Sequence, residues 1–395
     1  MYNIRINMPK NNLHIVSSHA FLLLAHYATF AFQDILFEYL TSNKAVLVTK
    51  FNLPLPELPL LKKIEITDSK KGKIETTRKI TSVTQPPIFA YAIQSLQLFF
   101  TVLLSINKYD IIIAQDRLLA FIAIILRTIG KCKIVIFYSH GVDRTRFKYA
   151  FINKLYNLLD LVSATNSNFN WFLNKEMINL RKQQGVDPNT SFWVPSSIST
   201  DTVLRLQNVF NHKIVFLGVL NNKNGANLLP KIILLVKKAI PDIILDIIGD
   251  GQLKNSLESE TVKLGLNRNI NFLGVLKFTD FSQILTNYSV GIAPYEDVFD
   301  TLTSTSDSMK MRVYLAAGLP VVITKGFVFS REIEENNLGL TVQFKTKSFA
   351  KAVVKLLQNP TLNKKIRRKA LVYSKKYDIT NIYDRVLAKI LKKEL

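Results

Sequence analysis

Lys310 and Arg312 stand two residues apart in "SDSMKMRVYLAAGLPVVIT" (306–324), a stretch whose middle reads as a helix. Cations close to a helix N-terminus oppose the helix's own dipole. Either they form a solvated face or they hold an anion, since unsatisfied N–H groups and a lysine can share one phosphate. Ser306 or Asp307 can cap the helix, and Gly318 followed by Pro320 ends it. Arg312 falls on a different helix face from Lys310, so it reads as structural or solvent-exposed.

Glycines form a second group. Gly218 in "VFLGVLNNKNGANLL", Gly249 and Gly251 around Asp250 in "DIIGDGQL", and Gly274 in "NFLGVL" each follow an apolar run, and Gly225 opens the next helix. Glycine lets a backbone approach a ligand closely, and it also makes tight turns. The chain contains no G-x-G-x-x-G, no G-x-x-x-x-G-K-[ST] and no G-x-S-x-G, so neither a dinucleotide fingerprint, a P-loop nor a nucleophile elbow is present. His140 and Asp143 follow the run "CKIVIFYS", with Arg144 and Arg146 in the same loop. A His and an Asp there can serve as general base, acceptor ligand or hydrogen-bonded partners. His19, in "VSSHAF", reads as the end of a first strand. The five histidines and the single Cys132 lack zinc spacing.

The elements that must position these residues alternate. The pattern predicts a strand over 12–18, a helix over 20–41, a strand over 44–50 and a mostly looped stretch over 52–88. A helix (89–106), a strand (110–115), a helix (117–130) and a strand (132–139) follow, then a helix (147–160), a short strand (161–166) and a helix (168–185). After a connection (194–212), strands at 213–219, 243–249, 270–275, 290–295, 320–324 and 339–344 alternate with helices, 278–287 among them, and three helices end the chain. The strands are apolar without strict alternation, the mark of parallel sheets covered on both faces. Two such series predict two α/β domains with ligands at the strands' carboxyl ends.

The chain has 395 residues, 48% of them hydrophobic, enough for two cores and without a signature of disorder. One cysteine excludes an intrachain disulfide framework and fits a reducing compartment. The N-terminus lacks the apolar core of a secretory signal. The formal charge is +23, with 23 basic against 12 acidic residues in 1–200 and 29 against 17 in the remainder. Such an excess favours anionic partners. No localised basic stripe with interleaved aromatics is present, which argues against nucleic acid. "FAYAIQSLQLFFTVLLSI" (89–106) carries Gln94, Ser95, Gln97 and Thr101, so it reads as a buried helix, with an interfacial position on a membrane as the alternative.

With these residues in view, the chain resembles the GT-B glycosyltransferases, in particular their large retaining family. "MKMRVYLAAGLPVV" is similar to that family's "P-x-K-x-x-E-Y-L-A-A-G-x-P-V-V", with Lys310 on the lysine, Tyr314 to Gly318 on "YLAAG" and Pro320 on the proline. "FLGVLNNKNGANLL", "IIGDGQL", "INFLGVL" and "VGIAPY" match in order, and the likeness spans roughly 130–375. It implies two Rossmann-like domains facing a central cleft: an acceptor-side domain (1–196), a nucleotide-sugar domain (197–376) and a last helix (377–395) packing back toward the first domain. It implies donor contacts from Gly218, Asn221, Lys223, Gly249, Asp250, Gly251, Leu273, Gly274, Tyr295 and Lys310, the last at the pyrophosphate. Catalytic roles fall to His140 and Asp143, and acceptor-side roles to His19 and Arg146.

The activity so implied is retaining, metal-independent transfer from a nucleotide sugar to a lipid-linked or polysaccharide acceptor in cell-envelope glycan synthesis. No cofactor is expected. The expected location is cytoplasmic, or peripheral on the inner face of the membrane, with an anionic membrane surface as a further partner. Departures from the motif bear on this. Val313 replaces the glutamate before "YLAAG", Thr305 an earlier glutamate, Ser308 a proline, and Asn221 a basic residue, with Lys223 the nearest substitute. Each lost charge-assisted hydrogen bond removes about 1.5–3 kcal/mol. Glu296, Asp297 and Asp300 offer other carboxylates. The alternative is a catalytically degenerate relative acting as a binding or assembly partner.

Overall fold

The computed structural model describes residues 16–27, 32–56, 62–141, 147–196, 198, 210–276, 284–296 and 309–394. The chain divides into two compact units, one of 1–195 with 380–395 and one of 196–379.

The first unit is built on strands β1 (Ala20–His26), β2 (Leu47–Leu53), β3 (Lys63–Lys70), β4 (Lys73–Thr81), β5 (Tyr109–Ala114), β6 (Cys132–Ser139), β7 (Phe169–Phe172) and β8 (Ser191–Trp193). They form one sheet in the order β4-β3-β2-β1-β5-β6-β7-β8. β3 and β4 pair antiparallel, as do β2 and β3, and the other pairings are parallel. Helices α1 (Phe32–Ser42), α2 (Pro87–Leu104), α3 (Arg117–Thr128), α4 (Ala150–Asn166) and α5 (Lys175–Gln183) connect them. From β1 the chain steps toward β2, and from β5 it steps the other way toward β6, so β1 and β5 flank the switch point of the sheet.

Three sequence expectations change here. Among the described residues the first strand is "AFLLLAH"; of the expected strand 12–18, residues 12–15 lie outside the described residues and Val16 and Ser17 are helical. The run from 20 to 41 has no Gly or Pro and so reads as one helix. Its first seven residues pair instead with β2 and β5 on both sides, and tertiary pairing overrides propensity. The basic stretch 63–81 is a hairpin turning at Lys71 and Gly72, both with positive φ, and β4 is a solvated edge strand whose charges disguise it. "LVSATN" ends α4, and the strand is "FNWF". Polar Asn153, Asp160 and Ser163 are among the buried positions of that helix, which hid its period.

The second unit has strands β9 (Lys213–Leu217), β10 (Ile244–Ile248), β11 (Ile270–Gly274), β12 (Val290–Ala293), β13 (Val321–Thr324) and β14 (Gly339–Val342), all parallel, in the order β11-β10-β9-β12-β13-β14. Its helices are α6 (Leu229–Lys237), α7 (Lys254–Lys263), α8 (Met309–Ala316), α9 (Val328–Glu335), α10 (Thr346–Leu357) and α11 (Pro360–Ser374). The switch point lies between β9 and β12. Apolar residues of β9, β10, β12, α6 and α10 fill one core.

The last helix, α12 (Ile379–Glu394), lies in the first unit from Thr380 onward. Tyr383 stacks on Trp171 with ring centroids 5.9 Å apart, and the Tyr39 hydroxyl donates to Asp384 at 2.6 Å. The Tyr383 hydroxyl is buried without a hydrogen bond among the described residues. Tyr383→Phe should therefore raise unfolding free energy by about 1 kcal/mol by removing an unpaired polar atom. Tyr383→Ala should lower it by about 3–5 kcal/mol, with denaturant unfolding as the measurement.

Candidate functional site

In the second unit the strand-end loops interlock. Gly218 N–H donates to Ile248 O at 3.0 Å, Gly249 N–H to Gly274 O at 2.8 Å, and Leu220 N–H to Asp250 O at 2.9 Å. A Cβ on Gly249, at φ +143°, would stand 2.0 Å from Gly218 O, so no larger residue fits. Gly225, at φ +67°, is tighter still: a Cβ would lie 1.5 Å from Pro294 O. These contacts draw the loops after β9, β10, β11 and β12 into one surface at the carboxyl edge.

Helix α8 is held against that surface by Tyr314. Its buried hydroxyl accepts from Leu217 N–H at 2.7 Å and approaches Val215 O and Ile292 O at 3.3 and 3.4 Å. Its ring covers Gly291, where a Cβ would meet the ring at 2.7 Å. Lys310 lies four residues earlier, on the same helix face. Its Nζ donates to Asn224 Oδ1 at 3.1 Å and stands over the Tyr295 ring at 4.4 Å and the Phe216 ring at 5.3 Å from the centroids. A Cβ on Gly218 would lie 3.0 Å from this Nζ. Among the described residues no carboxylate pairs with Lys310. Burial pushes its pKa down to about 7. The result is a poorly solvated cation at the switch point, a place suited to an anion.

The other residues expected on this surface divide by role. The Asn221 carboxamide accepts from Asn224 N–H at 2.8 Å and so shapes the loop that meets Lys310. Lys223 is exposed, and its carbonyl accepts from Glu296 N–H at 3.0 Å, tying β9's loop to β12's. Asp250 accepts from Gly251 N–H at 2.6 Å and faces Lys254 at 3.6 Å. Leu273 is 38% exposed beside Gly274, which supplies backbone only. Val313 is fully buried and presents nothing to a ligand. Arg312 is structural: its guanidinium meets Glu332 at 2.6 and 3.3 Å and lies 3.6 Å over the Tyr377 ring. Asp143, Arg146, Asp297, Asp300, Thr305, Ser308 and the two residues expected to cap the helix, Ser306 and Asp307, lie outside the described residues.

The first unit carries a second group at its own switch point, and sequence reasoning missed its centre. His26 ends β1, and Asp116 follows β5. His26 Nδ1 and Asp116 Oδ2 are 2.5 Å apart. The other carboxylate oxygen caps α3, accepting from Leu118 and Leu119 N–H, both at 2.9 Å. An ionised carboxylate only accepts, so Nδ1 carries a proton toward Asp116. The His26 Nε2 is buried with no hydrogen-bond partner among the described residues, and Tyr91 packs edge-on to the ring at 4.9 Å. His140 follows β6 beside Tyr138, with centroids 4.6 Å apart. Burial holds its pKa down at about 4 against the opposing pull of Asp116, so the ring is neutral at pH 7. Arg117 secures the loop, donating to Gly141 O at 3.4 Å while its Nε faces Asp160 at 3.4 Å.

His19 does not join this group. It precedes β1 and so lies at the amino edge, where Ser18 is its side-chain neighbour at 3.0 Å. The misplaced first strand put it at the wrong end. The signal available in the sequence was His26, seven residues on, at the end of "AFLLLAH". Among the described residues no three His, Cys, Asp or Glu side chains stand close enough to share a metal ion.

The two cations of α8 should respond oppositely to neutralisation. Arg312→Met strands Glu332 and should cost about 3–5 kcal/mol. Lys310→Met removes a cation that the fold disfavours and should raise the melting temperature. Because the folded-state pKa lies below the ordinary lysine value of 10.5, the gain should be fullest below pH 7 and fade as pH rises toward 10.5. Thermal melts of both variants at several pH values check this.

A family model described as "Glycosyl transferases group 1" matches residues 211–359, a span that holds the loops of the second unit and Lys310. No curated protein matches the chain by sequence. Solved structures match it by shape. Sucrose-phosphate synthase from Thermosynechococcus elongatus superposes with a TM-score of 0.70 at 12% identity, over 95% of this chain and 99% of the other. Anabaena Alr3699/HepE in complex with UDP-glucose gives 0.68 at 13% identity, over 95% and 100%. WaaG, a glycosyltransferase involved in lipopolysaccharide biosynthesis, gives 0.64 at 12%, over 93% and 98%. With its two Rossmann-like α/β units, the chain has the GT-B fold.

Proposed function

We propose that this protein transfers a sugar from a nucleotide-sugar donor to a glycan or lipid-linked acceptor in cell-envelope synthesis. The observation that carries the reading is Lys310, a poorly solvated cation that pairs with no carboxylate among the described residues, set over two aromatic rings at the switch point of the second unit. A donor diphosphate supplies the missing charge. As the bond from the anomeric carbon to the diphosphate oxygen breaks, negative charge grows there, and a preorganised ammonium stabilises it. The match to "Glycosyl transferases group 1" over 211–359 supports this assignment, as does the UDP-glucose bound to HepE.

Release of nucleoside diphosphate from a panel of nucleotide sugars tests the reading. One donor should be turned over, activity should survive EDTA because Lys310 takes the neutralising role, and Lys310→Ala should lower turnover by about 10²–10³-fold. Neither release nor saturable binding with any donor contradicts it and favours the degenerate binding partner. Affinity for UDP should fall by up to about tenfold per pH unit above pH 7, where Lys310 loses its proton, and Lys310→Met should flatten that dependence in calorimetric titrations.

The family resemblance implies retention at the anomeric carbon. The His26–Asp116 pair favours a second reading, because an imidazole held by a carboxylate can take the acceptor's hydroxyl proton and drive direct displacement with inversion. Asp116→Asn keeps a capping oxygen but no longer fixes the tautomer. Under inversion it should cost about 10²-fold or more in kcat. Under retention it should cost little. The anomeric proton coupling of the product reports the stereochemistry independently.

A further inference from the structure

Helix α2 is 18 residues long and carries no charged side chain. One stripe is core: Leu98 and Val102 are buried against the sheet, and Gln94 donates to Val83 O at 2.8 Å. This buried stripe means the helix does not span a bilayer while the unit is folded. The opposite stripe is apolar too. Phe89, Ile93, Leu96, Phe100 and Leu104 recur at helical spacing, and all are exposed, Leu104 at 81%. Ile106, just past the helix, is 98% exposed. Solvated stripes on soluble proteins are ordinarily polar, so this face requires a cover.

The surroundings identify the cover by charge. No Asp or Glu occurs between Glu75 and Asp110, an interval that includes Arg78, Lys79 and Lys108. The β3–β4 hairpin packs beside α2, with Gln97 bonded to Ser82 Oγ at 2.6 Å and to Thr81 O at 3.0 Å. Lys70 and Arg78, each paired with a carboxylate of the same lining (Glu75 and Asp68), share with Leu104 and Ile106 a groove of about 600 Å³ between hairpin and helix, so the unpaired hairpin charge lies with other lysines. Residues 62–81 hold seven cations and three anions. Lys70, Arg78 and Lys79 pair with Glu75, Asp68 and Glu65, whereas Lys63, Lys71 and Lys73 have no ion-pair partner among the described residues. Helix α4 repeats the combination with Phe151 and Leu155 exposed beside Lys154.

We propose that this face of the first unit lies on an anionic lipid bilayer, with the α2 stripe and Ile106 entering the headgroup region and the hairpin lysines meeting lipid phosphates. Apolar burial and attraction to anionic headgroups then act together, as in interfacial helices. This inference does not rest on glycosyl transfer, since vesicles without donor or acceptor test it.

The full chain should co-sediment with vesicles containing about 30 mol % anionic lipid and bind far less to neutral phosphatidylcholine. Raising salt from about 50 to 500 mM should weaken binding several-fold, because the hairpin charges are solvated and screened. Leu104→Glu with Ile106→Glu should reduce partitioning by at least about tenfold without changing the melting temperature, as both side chains are exposed in the folded protein. Equal binding to neutral and anionic vesicles, or undiminished binding of the double variant, overturns the proposal. So does a concentration-dependent dimer, seen by sedimentation velocity without lipid and abolished by the same substitutions, because a second copy would then be the cover.

Discussion

The hydroxyl of Tyr314 is the constraint on which the second unit's chemistry depends. It bonds to backbone at the ends of two strands that are neighbours in space but remote in sequence, β9 and β12. Its ring occupies the space a side chain at Gly291 would need. A helix pinned there has no freedom to slide. Everything one turn earlier on the same face, Lys310 above all, is thereby set against the carboxyl edge of the sheet. The cation is held where solvation is poor, which destabilises the empty protein and strengthens its attraction for an anion. The fold tolerates that cost because the pin is made of buried, well-satisfied contacts.

The first unit solves a related problem by different means. Its switch point holds an imidazole and a carboxylate instead of a lysine. One oxygen of Asp116 caps α3 while the other orients His26, so the start of a helix and the set of an imidazole ring are fixed by one side chain. His140 stays neutral beside it. Each unit thus presents ionisable groups at the edge where parallel sheets offer loops and helix starts, a buried lysine in one and a histidine–carboxylate pair in the other.

Much of this was legible in the sequence, and the reasons for the exceptions are physical. The alternation of apolar runs, the strand-end glycines and the "YLAAGLP" block pointed to two α/β units and to Lys310, because those signals are local. Arg312 was correctly set apart by helical spacing, but its partner Glu332 lies twenty residues on and could not be read from spacing. His26 was hidden because "AFLLLAH" continues without a break into a helix-compatible run, and only pairing with β2 and β5 makes it a strand. Its partner is ninety residues away. The hairpin at 63–81 was obscured because an edge strand is solvated and carries charges that resemble a loop. Asp143 and Arg146 fall outside the described residues, so the loop after His140 adds nothing to the comparison.

The central claim is that the donor diphosphate binds against Lys310 at the β9/β12 switch point. A crystal structure of the protein with UDP tests this most directly. The account predicts diphosphate oxygens within hydrogen-bonding distance of Lys310 Nζ, beside the Gly218 and Gly249 loops. A nucleotide bound elsewhere in the chain, with Lys310 still donating to Asn224, would contradict it.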